Sequence, residues 1–198
     1  MGEKQTTFGN FVEPGEGIIE GHLSLSFQHQ RLNIDALWEN SSLSAKFLST
    51  FWGKFFPVHD PDSGPIKKQL EDAVHYVCAE LLGNAVKFSY NPEYLIKICL
   101  YLHEQELRFY VTNSIRPDDV EHFKLFIKRI LSEDTSAFFI EQMEKSAVHD
   151  NKESRIGFLT LINDYSVVLA WKFEEKVSGI QLVTTLARLP IMRNHNFS

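Results

Sequence analysis

Glu80-Leu-Leu-Gly-Asn84-Ala-Val-Lys87-Phe-Ser89 carries a carboxylate and a carboxamide four residues apart inside an apolar helical pattern. At about 100° per residue, positions i and i+4 share one face of a helix, so Glu80, Asn84 and Lys87 line one flank. Beside them runs the apolar stripe Leu70, Val74, Val77, Cys78, Leu81, Leu82 and Ala85. A polar trio bordering a core stripe can form one wall of a ligand site. Glutamate can take a proton, the asparagine carbonyl oxygen can ligate a hard cation, and lysine can neutralise phosphate.

The helix containing this trio is expected over residues 66–88, ended by Asn91-Pro92. Before it, the Pro, Asp and Gly content of residues 57–65 marks a loop. Residues 33–56 carry Ile34, Leu37, Trp38, Leu43, Phe47, Leu48 and Phe51, a pattern for one or two helices interrupted near Ser41-Ser42. Leu23, Leu25 and Phe27 alternate with polar residues and predict a strand. After the central helix, residues 94–102 and 107–113 read as strands flanking a hairpin turn at His103-Glu-Gln-Glu106. Pro117-Asp118-Asp119 opens the next helix, with Lys128-Arg129 near its negative end. A further helix over 136–146, a polar loop over 148–155 and a short helix over 156–163 follow. Residues 167–173 and 180–189 are the last two strands. Grouped helices between runs of strands predict a two-layer α/β sandwich, with a mixed, mostly antiparallel sheet and helices on one face.

The chain has 198 residues, 43% of them apolar, enough for a sizeable core. Net charge is −6 with acidic and basic residues interleaved, so no basic stripe for nucleic acid is present. Cys78 on a core stripe and Cys99 in a strand are expected as buried thiols. No run approaches the roughly 20 apolar residues of a membrane span, and the polar N-terminus lacks a secretory core, which predicts a cytoplasmic protein. There is no P-loop, no G-x-G-x-x-G and no G-x-S-x-G. His75 and His122 read as helix-surface residues. Phe51, Trp52, Phe55 and Phe56 read as core packing, with a homodimer or partner surface as the alternative.

Glu80-x-x-x-Asn84-Ala followed by Lys87-Phe-Ser resembles the N-box of the GHKL (histidine-kinase-like) ATPase superfamily. Arg155-Ile-Gly157-Phe-Leu-Thr-Leu-Ile-Asn-Asp164 resembles its second glycine box. Together with Val111-Thr-Asn-Ser114 and Leu169-Ala-Trp-Lys-Phe173, the chain is similar to small cyanobacterial regulators related to the anti-sigma-factor serine/threonine kinases. The resemblance implies a Bergerat-type sandwich over residues 61–190, an N-terminal extension over 1–60 packed on the same domain, and a frayed tail over 191–198. It implies ATP and Mg2+ as cofactors, Glu80 as general base and Asn84 as the magnesium ligand. Lys87 and Gly157 would lie near the phosphates, and Asn113 would accept from the adenine amino group. It implies a small STAS-domain antagonist as the phosphorylated partner and a PP2C-type phosphatase in the same pathway.

The chain departs from this pattern after the Asn113 strand. Asn113-Ser-Ile-Arg-Pro117 holds no glycine, where the family has two. Fewer glycines leave fewer backbone N–H groups free to cradle phosphate. Two classes therefore stand side by side: a protein serine/threonine kinase, and a non-catalytic module that sequesters a STAS-domain partner without ATP.

Overall fold

The computed structural model describes residues 4–28, 34–54, 63–148, 156–176 and 179–191. Strands β1 (Lys4–Phe8), β2 (Gly21–Phe27), β3 (Ile96–Leu102), β4 (Glu106–Ile115), β5 (Val168–Glu175) and β6 (Gln181–Pro190) form one sheet. Its order is β1-β5-β6-β4-β3-β2, and every neighbouring pair is antiparallel. Helices α1 (Ile34–Trp52), α2 (Ser63–Phe88), α3 (Pro117–Ser132), α4 (Thr135–Val148) and α5 (Ile156–Tyr165) form the second layer on one side of it. The α/β sandwich expected from the sequence is present, with a wholly antiparallel sheet rather than a mixed one.

Period-2 alternation assigns the sheet faces. Ile96, Ile98, Leu100 and Leu102 of β3, Leu107, Phe109 and Val111 of β4, and Leu169, Trp171 and Phe173 of β5 face the helices and are buried. From α2 the stripe Val74, Val77, Cys78, Leu81, Leu82 and Ala85 packs against them. Each fully buried Leu, Ile or Phe stabilises the fold by about 1.5–3 kcal/mol relative to exposure. Helix α3 starts at Pro117 with Asp118 and Asp119 in its first turn, and buries Val120, Phe123, Ile127 and Ile130 at helical spacing. Cys78 and Cys99 are both buried free thiols.

Several local expectations differ from the structure. Helix α1 is continuous across Ser41-Ser42. Serine costs only a few tenths of a kcal/mol in a helix, and burial of Ala45, Leu48 and Trp52 on one face outweighs it. Helix α2 begins at Ser63, so Gly64 and Pro65 belong to its first turn, where proline lacks no needed N–H. The rest of the expected 57–65 loop lies outside the described residues, as do Phe55, Phe56, Arg155, most of the 148–155 loop and tail residues 192–198.

The N-terminal segment contributes more than was expected of it. Strand β1 pairs with β5 at one edge of the sheet, while β2 pairs with β3 at the other. Residues 9–20 therefore cross from edge to edge, over the face opposite the helices. Gly9 makes the turn with φ 71°. A Cβ there would stand 2.9 Å from Leu169 O, so backbone must lie directly on β5. Phe11 and Val12 pack on Cys99, Tyr110, Ala170 and Leu186, a small second cluster on that face.

Candidate functional site

Helix α2 lies across β4, flanked by β3 and β6, with α5 against its side. This placement sends its polar flank to two adjacent locations. Toward α5, the Glu80 carboxylate sits against Gly157, and a Cβ built on Gly157 would overlap Oε2. The Tyr76 phenol, one turn earlier, lies close to Glu80 and to Thr160 of α5. Its ring stacks on Tyr165 at 4.9 Å between centroids. Burial pushes the Glu80 carboxyl above its ordinary value, and the nearby Tyr76 hydroxyl only partly offsets this. Burial, then the nearby Glu80 charge, pushes the Tyr76 phenol up as well. Glu80 and Gly157, distant in sequence, are thus brought into contact.

The second location is a cavity of about 20 Å³ between α2, the ends of β4 and β6, α3 and α5. Its polar lining is Asn84, Asn113, Asp119 and Thr185. Asn113 is buried, with Nδ2 donating to Ser114 O at 2.8 Å. That bond turns the amide oxygen into the remaining acceptor of the group. The apolar lining includes Phe88, Val111, Phe123 and Phe158. Phe123 and Phe158 stack at 6.1 Å, and both meet the edge of the fully buried Trp171. Asn84 and Asn113 therefore line one cavity. Lys87 stands outside it on the exposed side of α2, with Nζ 5.2 Å from the centroid of the Phe88 ring.

Sequence reasoning missed Asp119, Thr185 and Tyr76. From sequence, Asp119 reads only as an acid favouring the positive end of α3. Thr185 carries a detectable signal: it is the hydroxyl in the helix-facing series Val183, Thr185, Ala187 and Leu189 of β6. Tyr76 lies one turn before Glu80 on the same flank, a position visible from helical spacing alone.

A drug-sized ligand fills on the order of 300–1,000 Å³, whereas this cavity holds roughly one water. The cavity formed by the described residues is too small to enclose ATP. Mg2+ favours octahedral oxygen coordination by carboxylates and phosphate. Around the cavity the oxygen donors are Asn84, Asn113, Thr185 and the single carboxylate of Asp119. Among the described residues no group of three or more His, Cys, Asp or Glu could hold a metal ion.

The fold and site define a two-layer α/β sandwich with a polar-lined, water-sized cleft beneath its central helix. No protein-family model matches the chain, and no curated protein matches it either. Among the described residues no helix is long and apolar enough to cross a membrane.

Proposed function

We propose that this protein is a non-catalytic partner-switching module that binds a small STAS-domain protein without turning over ATP. The observation that carries the non-catalytic half is the closure of the cleft. The Phe123–Phe158 stack, backed by Trp171, leaves room for water and not for a nucleotide. Glu80 is also engaged, by Tyr76 and by contact with Gly157, where a base would need an open line to a hydroxyl. The glycine-free Asn113–Pro117 junction agrees, because α3 begins two residues after β4 ends and supplies the closing Phe123. The partner class rests on the sequence resemblance alone.

A second reading, the anti-sigma-type serine/threonine kinase, is favoured by a specific observation. Asn84 and Asn113 line one cavity, and the neighbouring Glu80 has its carboxyl raised above its ordinary value by burial. The two readings separate in one experiment. The chain is incubated with candidate STAS-domain proteins and Mg-ATP, complexes are isolated by size, and the intact mass of the partner is measured. A stable complex with unmodified partner mass supports the module. A mass gain of one phosphate, lost in Glu80→Gln, overturns it in favour of the kinase. No complex with any such protein overturns the partner class.

A further inference from the structure

The two edges of the sheet are guarded differently. An edge strand leaves every second N–H and C=O unpaired, a template for another strand. Strand β1 is five residues long and begins with Lys4, a charge of the kind that blocks such pairing. Strand β2, Gly21-His-Leu-Ser-Leu-Ser-Phe27, is seven residues long and holds no Lys, Arg, Asp, Glu or Pro. Its inner edge pairs with β3 along its whole length. Among the described residues no strand pairs with its outer edge.

The two faces of β2 are unlike. Leu23, Leu25 and Phe27 turn toward the helices, half-buried, and pack on the main core. His22, Ser24 and Ser26 are exposed on the other face. A second copy of β2, laid antiparallel about a two-fold axis at Ser24, pairs every residue of the strand. Leu23 then meets Leu25 of the other copy, Gly21 meets Phe27, His22 meets Ser26, and Ser24 meets itself. A shift of one residue would set leucine against serine and turn the apolar side to solvent. A two-fold interface requires a self-complementary patch, and β2 is one.

The neighbouring end of the helix layer is also left apolar. Helix α5 lies on the flank of α2 toward β5, with its Phe158 meeting Trp171. Helix α1 also packs on α2, so within that layer it takes the opposite flank, toward β2. It buries Ala45, Leu48 and Trp52, and leaves Leu43 65% and Phe47 51% exposed, one turn apart on its far side. We infer that β2 is a homodimer edge. Two copies of this chain join their sheets antiparallel through residues 21–27, centred on Ser24, and the far sides of the two α1 helices come together beneath the seam.

The test is sedimentation equilibrium of the full chain at low salt, from about 1 to about 100 µM. The mass should rise from the 22.9 kDa of one chain to twice that. Ser24 is exposed, so substitutions there leave the core intact. Ser24→Lys and Ser24→Asp each place like charges directly across the axis and should weaken self-association by roughly fivefold. An equimolar mixture of the two variants sets opposite charges across the axis and should recover it. A wild-type chain that stays monomeric throughout, variants that associate like wild type, or a mixture no stronger than its components overturns the inference. Should either variant fail to fold, amide exchange of wild-type β2 decides. The outward amides of residues 21–27 must gain protection with concentration while those of β3 stay unchanged, and protection that ignores concentration rejects the edge.

Discussion

At Glu80 two effects compete, and their sign is testable. The folded-state pKa is raised above 4.5 by burial. The folded state therefore holds this proton more tightly than the unfolded chain. The associated stability is present below about 4.5 and is lost as pH rises through the folded value. Glu80→Gln keeps the shape and an acceptor for Tyr76 but carries no charge. It should raise the melting temperature at pH 7 and make no difference at pH 4. Thermal denaturation at the two pH values checks this, and a loss of stability at pH 7 would mean the charged carboxylate is better satisfied than the Tyr76 contact indicates. At Gly157 the competition is between helix propensity and contact. Alanine gains about 0.5–1 kcal/mol in a helix, but its methyl must displace the Glu80 carboxylate. The obstacle is the far end of a flexible side chain, so Gly157→Ala should change stability by less than about 1 kcal/mol. Its signature should instead be a fall of the Glu80 pKa toward the ordinary value, read by NMR titration. An unchanged Glu80 titration would show that the two residues do not meet.

At the scale of elements, α3 and α4 are joined by a charged cluster whose pH range follows from its chemistry. Arg129 Nε donates to Glu133 at 2.7 Å, its Nη2 donates to Glu141 at 2.7 Å, and Lys145 also pairs with Glu141. The guanidinium lies 4.1 Å from the centroid of the Phe138 ring. Hydrogen bonds from Arg129, then from Lys145, hold the Glu141 carboxyl at about 2, against an ordinary 4.5. A depressed carboxylate contributes above its unfolded value and ceases to as pH falls through the folded one. Exchange protection of α4 should thus weaken between pH 4.5 and 2, and weaken less in Glu141→Gln, which has already lost the charge. The cluster is solvent-exposed, so added salt should weaken it too. Acid loss of α4 protection that is identical in the variant would place the cause elsewhere.

These same elements show what was legible in the sequence. Helix α2, with one uninterrupted apolar stripe, and β3 to β6, with clear alternation, could be read from periodicity alone. Strand β1 could not: Lys4-Gln-Thr-Thr-Phe8 carries one large apolar residue, and its pairing with β5 joins positions far apart in sequence. The crossing of residues 9–20 depends on contacts to backbone carbonyls, which leave almost no trace in residue type. In the site, helical spacing placed Glu80 and Asn84 on the flank they occupy. Their separation into two locations, one against α5 and one over β4, depends on how α5 packs. Asn113 was found at a strand end, but the closure by Phe123 and Phe158 was not, because aromatic residues at core spacing look alike whether or not they fill a cleft.

At the scale of the whole molecule, the sheet presents two different faces. One is sealed by five helices, with a water-sized cleft under α2; the other is crossed by residues 9–20. The central claim, that the cleft takes no nucleotide, is tested most directly by calorimetric titration of the full chain with ATP in excess Mg2+. The closed cleft predicts no saturable heat up to about 1 mM, an affinity weaker than roughly 4 kcal/mol of binding free energy. Saturable one-to-one binding in the micromolar range, abolished by Asn84→Ala in a chain that remains folded, would contradict it.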